Sequence, residues 1–206
     1  PFAYWSFNDE ADRLEDCSGH GHWAVAKDVE RDSEVPPGIG EPWSRRFKGQ
    51  GGYVRVAGSE DLHLEQFTLA AWIRLGSNKT HSVISKEGHD QTGEWRLYVR
   101  EDGRVAVRYQ VENRDQMAVS AISLQPGAWH HVAGSFDGKI LRIYVDGKDE
   151  GQATVSRPLP STKAAVYIGA TDDESGFFHG WIDEVKIWAL ALDPKVIEGQ
   201  ARAEGH

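Results

Sequence analysis

The chain has 206 residues, 39% hydrophobic and 27% charged, a balance that suits one large soluble domain and excludes a disordered polymer. With 23 basic and 32 acidic residues the formal net charge is −9, which argues against nucleic acid or an anionic membrane surface as a partner. The single cysteine, Cys17, excludes an intrachain disulfide and a Cys-rich zinc site, and no stretch approaches the roughly 20 apolar residues of a membrane-inserted helix.

The chain opens at Pro1 without an initiating Met or a signal peptide, so it reads as a segment of a longer precursor. Residues 2–7 form a short aromatic run ended by Asn8-Asp9, and residues 51–57 alternate as a strand. The stretch 28–41, with Pro36-Pro37-Gly38, is an internal excursion and not a linker, so residues 1–206 are taken as a single domain. In residues 66–75, Phe67, Leu69, Ala71, Ile73 and Leu75 share one face, while Thr68, Trp72 and Arg74 share the other.

Residues 94–100 and 104–111 flank Glu101-Asp102-Gly103 and predict a hairpin, because Asp-Gly tolerates the positive φ of a tight turn. Residues 129–136 and 139–145 repeat the design around Asp137-Gly138, and 165–170 and 180–188 are the last predicted strands. Asp193 caps a helix that begins at Pro194 and runs one to two turns. Many short strands between Gly- and Asp-rich turns predict an all-β sandwich or jelly roll with one short C-terminal helix. Trp72 and Trp129 are expected to be largely buried.

The segments "FTLAAWIRL", "WHHVAGSFDGKILRIYVDGK" and "YIGATDDESGFFHGWIDEVKIWALALDP" resemble, in that order, the laminin G-like jelly-roll domains of the concanavalin A-like lectin/glucanase group. The N-terminal "YWSFNDEADRLEDCSGHGHWA" fits the same group. The resemblance implies an all-β, two-sheet antiparallel jelly-roll sandwich, as an appended module of a larger secreted or cell-surface protein, and it implies no single function. It also implies a structural calcium between the N-terminal loop and the "DEV" strand, with Asp9, Asp16, His20 and Asp183 as candidate ligands. His20 stands where the group usually has Asn, which costs a side-chain oxygen but keeps the carbonyl. A chelator is then expected to lower the melting temperature. The bland reading is that these acids form turns and solvated charges.

Catalytic signals are weak. Glucanases of this group set carboxylates at alternate strand positions, whereas Asp183-Glu184 and His130-His131 are adjacent and are expected to point to opposite faces. No nucleophile elbow and no zincin motif is present. Cys17 is expected to be a small buried residue.

A ligand face is suggested by the hairpin. Trp95, Leu97, Val99, Val105, Val107, Tyr109 and Val111 form its core side, and Arg96, Tyr98, Arg100, Arg104, Arg108 and Gln110 line the other, with Arg96, Tyr98 and Arg108 as the candidate ligand residues and His89 and Asp90 at the rim. Guanidinium groups in an acidic protein suit carboxylate or sulfate, and Tyr offers a ring to a sugar. The preferred expectation is a non-catalytic glycan-binding module, with an acidic glycan as the candidate ligand. A structural or protein-adhesion module and a divergent glycan hydrolase or lyase are the alternatives.

Overall fold

In a computed structural model of the chain, residues 1–60, 62–87, 93–172 and 174–203 are described. The strands are β1 (Ala3–Trp5), β2 (Arg13–Leu14), β3 (Ala24–Lys27), β4 (Glu30–Asp32), β5 (Ser44–Lys48), β6 (Tyr53–Val56), β7 (Phe67–Leu75) and β8 (His81–Glu87), then β9 (Gly93–Val99), β10 (Arg104–Val111), β11 (Arg114–Ser123), β12 (Trp129–Phe136), β13 (Ile140–Val145), β14 (Lys148–Thr154), β15 (Tyr167–Ile168) and β16 (His179–Trp188). The helix α1 spans Pro194–Ala201.

Two eight-stranded antiparallel sheets pack face to face. The first runs β14-β13-β12-β7-β16-β5-β4 with β1 added on β16, and the second runs β11-β10-β9-β8-β15-β6-β3-β2. The alternation in β7 does what its period requires: Phe67, Leu69, Ala71, Ile73 and Leu75 face the core, which also takes Trp95, Leu97, Val105, Val107 and Tyr109 from the second sheet. A Cβ on Gly134 of β12 would lie 2.6 Å from Val107 Cβ, so a side chain there would push the sheets apart.

The turns follow their chemistry. Asp146 and Gly147 both have positive φ (49° and 78°), as a tight β13–β14 hairpin requires, whereas in the Glu101–Gly103 turn only Gly103 does. Asp193 caps α1, accepting the N–H of Lys195 at 2.8 Å, and Pro194 opens it as expected. The helix lays Ile197 on Ala70, Ala133 and Tyr144, on the outer face of the first sheet.

Three local expectations need correction. Strands β8 and β11 carry no clean alternation and were not expected; all seven residues of β8 are buried, because the strand is covered on both faces. Trp129 is only half-buried, whereas Trp72 is buried as expected, on the face opposite the core set where its parity put it. Cys17 is exposed, with its Sγ 3.5 Å from Ser6 Oγ.

His81, fully buried on β8, sits against Phe178. Its Nδ1 accepts the N–H of His179 at 3.0 Å, which leaves Nε2–H to donate to the Ser77 carbonyl at 2.9 Å. Burial pushes its pKa down to about 4, aided by Lys79 and His179 and opposed by the Ser77 bond. The depressed value means that the unfolded chain binds the proton first, so this stability is present above pH ~6.5 and is lost as pH falls towards about 4. The urea midpoint is expected to drop across that window, and to drop less steeply in His81→Phe; equal slopes would exclude His81 as the source.

Candidate functional site

The outer face of the second sheet carries the predicted arginines. One register row crosses it: Arg55 of β6, Tyr167 of β15, Ser85 of β8, Arg96 of β9 and Arg108 of β10. Tyr98, two residues beyond Arg96 on the same face, has its ring 4.7 Å from the Arg96 guanidinium and 5.5 Å from that of Arg108. Arg96, Tyr98 and Arg108 thus come together as the strand parity required.

The surface they form is not open. Arg96 and Tyr98 are each 8% exposed. Glu87 lies between the guanidinium groups, accepting from Arg108 Nε at 2.9 Å and Nη2 at 3.2 Å, and from Arg96 Nη1 at 3.4 Å. Asp115 takes Arg108 Nη1 at 3.2 Å, and the Tyr98 hydroxyl donates to Met117 Sδ. Burial works against the Arg108 charge, but Glu87 outweighs it and holds the pKa above its ordinary value. Arg96 and Arg108 therefore meet Glu87 and Asp115, and these four groups leave no net charge with which to select an anion. His89 and Asp90 lie outside the described residues.

The candidate metal ligands do not assemble. Among the described residues no three His, Cys, Asp or Glu side chains converge as an ion site. Asp16 is spent on the backbone: Oδ1 accepts the N–H of Tyr4 at 3.0 Å and of Ser18 at 2.9 Å, and Oδ2 that of His22 at 2.9 Å. Burial raises its pKa, and these donors with the Ser18 side chain overcome that and hold it low. Asp9 Oδ1 accepts the N–H of Glu15, and His20 is exposed with Nδ1 on Ser18 Oγ. Asp183 is fully buried on the outer face of the first sheet, level with Trp72. This donor set does not fit calcium, which takes six to eight oxygens.

That outer face holds what strand parity missed. Asp183 pairs with Trp72 and Lys186 with Ala70, so β16 has one residue more than β7 between these pairs. The extra residue is a β-bulge at Glu184, whose φ is +53°. The bulge turns Glu184 to the side of Asp183, against the expectation that neighbours oppose. Glu184 Oε1 accepts the Tyr4 hydroxyl at 2.7 Å, and Oε2 is 2.9 Å from Lys186 Nζ. Burial, then the Glu184 charge, raise the Asp183 pKa well above the carboxylate range. Both carboxyls are almost fully buried, which closes the pair to a substrate.

Beside them lies a cleft of about 630 Å³ bounded by Tyr4, Glu41, Lys186, Trp188, Val196 and Gln200. It forms where β1 joins β16, where α1 lies across the sheet and where the Pro-rich excursion returns. Lys186 Nζ also donates to Gln200 Oε1 at 3.1 Å and sits 4.6 Å from the Tyr4 ring centre. An aromatic wall with fixed donors and acceptors is a small-ligand composition, and the volume is in the ligand range. The sequence signal was "IDEVKIW", in which Lys186 and Trp188 take alternate positions of the last strand, but the second wall comes from elements distant in sequence.

One further cluster has the residue types of a proton relay without its geometry. His63 Nδ1 is 3.1 Å from Glu94 Oε1, and Ser161 Oγ is nearly equidistant from His63 Nδ1 and Nε2, at 3.2 and 3.3 Å. Equal distances place the hydroxyl over the ring and not in line with either nitrogen.

The fold recurs widely. Domain 4 of an extracellular GH43 arabinanase from Geobacillus stearothermophilus, solved in complex with arabinotriose, superposes with a TM-score of 0.78 at 17% identity over 97% of each chain. The binding domain of botulinum neurotoxin DC, solved in complex with SialylT, gives 0.71 at 19% identity over 99% of this chain and 51% of that one. In sequence, mouse pappalysin-1 is 23% identical over 179 residues and human pappalysin-1 21% over 183; the matches cover 77% of this chain but 11% of each relative. The Laminin_G_3 profile, described as the concanavalin A-like lectin/glucanases superfamily, matches residues 48–198, and the chain belongs to that family.

Proposed function

We propose that this domain is a non-catalytic carbohydrate-binding module of a larger secreted or surface protein, and that a neutral oligosaccharide docks in the cleft beside Trp188. The cleft carries the reading. Its Trp and Tyr rings offer apolar faces to a sugar, while Lys186, Gln200 and Glu41 offer hydrogen bonds around its hydroxyls. The Lys186 charge is already answered by Glu184, and Glu41 adds a negative charge, so a neutral glycan suits the cleft better than an acidic one. The self-neutralised arginine row points the same way. The structural relatives solved with arabinotriose and with SialylT support a carbohydrate-binding role, the first of them with a neutral sugar, and the extracellular nature of the arabinanase supports the secreted setting.

Calorimetry of the domain with arabinotriose and with a sialylated trisaccharide tests this reading. Binding is expected for the neutral sugar, and Trp188→Ala is expected to weaken it at least about tenfold, equivalent to roughly 1.4 kcal/mol. The variant's melting curve is the control, expected to stay cooperative so that a loss of binding is not a loss of fold. Undiminished binding in Trp188→Ala would move the site elsewhere. No binding to either sugar, or to a broad glycan array, would leave the structural or adhesion module as the better reading.

A further inference from the structure

The N-terminal loop that fails to assemble a calcium site already contains a cation. Arg45 on β5 is in register with core-facing Ile182 of β16, so it enters the sandwich from the inner face, and it is 2% exposed. A guanidinium taken from water needs both charge compensation and acceptors. Arg45 Nη2 donates to the carbonyl of Asp9 at 2.5 Å and to that of Ala11 at 3.1 Å. Asp9 and Asp12 supply the negative charge: burial depresses the Arg45 pKa, as does nearby Arg31, while these two carboxylates oppose both. Loop carbonyls beside carboxylates are what a calcium ion would use, and one guanidinium takes two of those carbonyls.

We propose that Arg45 is the resident cation of the 8–13 loop and stands in place of a metal, so that the fold is independent of calcium there. The charge is carried by the chain itself, and the loop therefore keeps its shape in a calcium-poor medium. The inference is independent of the glycan reading and is tested without a sugar.

The test compares melting curves of the whole domain in excess chelator and in millimolar calcium, with terbium luminescence as a second probe of ion binding. The wild-type curve is expected to be the same in both media, and terbium to give no saturable signal. A calcium site held at 100 times its Kd would instead raise the melting temperature by roughly 5–10 °C. Arg45→Met, which keeps the length of the side chain and removes its charge, is expected to lower the melting temperature by at least about 5 °C, and Arg45→Lys by less. A calcium-dependent rise in the wild type, or an unchanged melting temperature in Arg45→Met, would overturn the proposal. Should Arg45→Met not fold, the wild-type comparison still decides the calcium question.

Discussion

Lys86→Met is expected to destabilise the fold by about 3–5 kcal/mol, because it strands a buried carboxylate. Lys86 is fully buried on β8 and Glu94 on β9 is 1% exposed. Lys86 Nζ donates to Glu94 Oε1 at 2.7 Å and to the carbonyl of Thr162 at 3.1 Å. Glu94 Oε1 also accepts the Thr162 N–H at 2.7 Å. The pair therefore pins the 158–164 segment onto the second sheet. Removing the ammonium takes away the buried countercharge of Glu94, and its ionised form becomes expensive at neutral pH.

The double variant Lys86→Met, Glu94→Gln separates charge from packing. Gln keeps an acceptor for Thr162 and carries no charge, so the double variant is expected to recover most of the loss. Urea unfolding of the wild type and three variants completes the cycle. A single Lys86→Met variant within about 1 kcal/mol of wild type would show that the pair is not a structural anchor.

The second large effect is in the core. Trp95 is fully buried, with its ring centre 6.4 Å from that of Phe67. Trp95→Ala is expected to cost about 3–5 kcal/mol, from lost burial and the cavity left between two sheets that cannot collapse. Trp129→Ala, on a half-buried outer-face residue, is expected to cost less than half as much. The Trp95 Nε1–H meets no acceptor among the described residues, so Trp95→Phe removes an unsatisfied donor together with part of the ring and is expected to be the mildest change at this position. Equal losses for Trp95→Ala and Trp129→Ala would contradict the burial seen here.

Both variants sit where the sequence was informative to different degrees. The face of Trp95 was readable because Trp95, Leu97 and Val99 alternate with Glu94, Arg96 and Tyr98, and a period of two has only one core side. The salt bridge was not readable. Lys86 and Glu94 lie eight positions apart on neighbouring strands, and β8 has register shifts at both ends of its pairing with β9.

The candidate site divides the same way. That Arg96, Tyr98 and Arg108 share a face followed from parity across a tight hairpin. That the face is closed did not, because Glu87 belongs to the neighbouring strand β8 and reaches Arg108 from 21 positions away. The candidate calcium ligands do not converge for a related reason: the Asp16 oxygens meet local N–H groups, and the carbonyls of Asp9 and Ala11 meet Arg45, 36 and 34 positions on.

Alternation, Asp-Gly turns and a capped helix are short-range properties, each decided by a few neighbouring residues and the φ values they tolerate. By themselves they determined the sandwich, the core side of β7, β9 and β10, and the place of α1. Register, bulges and the reach of side chains between strands are long-range properties, decided only when all the strands pack at once. Glu184 shows the physical reason: one extra residue between two paired positions reverses which way a side chain points. Only the tertiary structure could place that carboxylate beside Asp183 and Tyr4, under a cleft whose other wall comes from α1 and the excursion near Glu41.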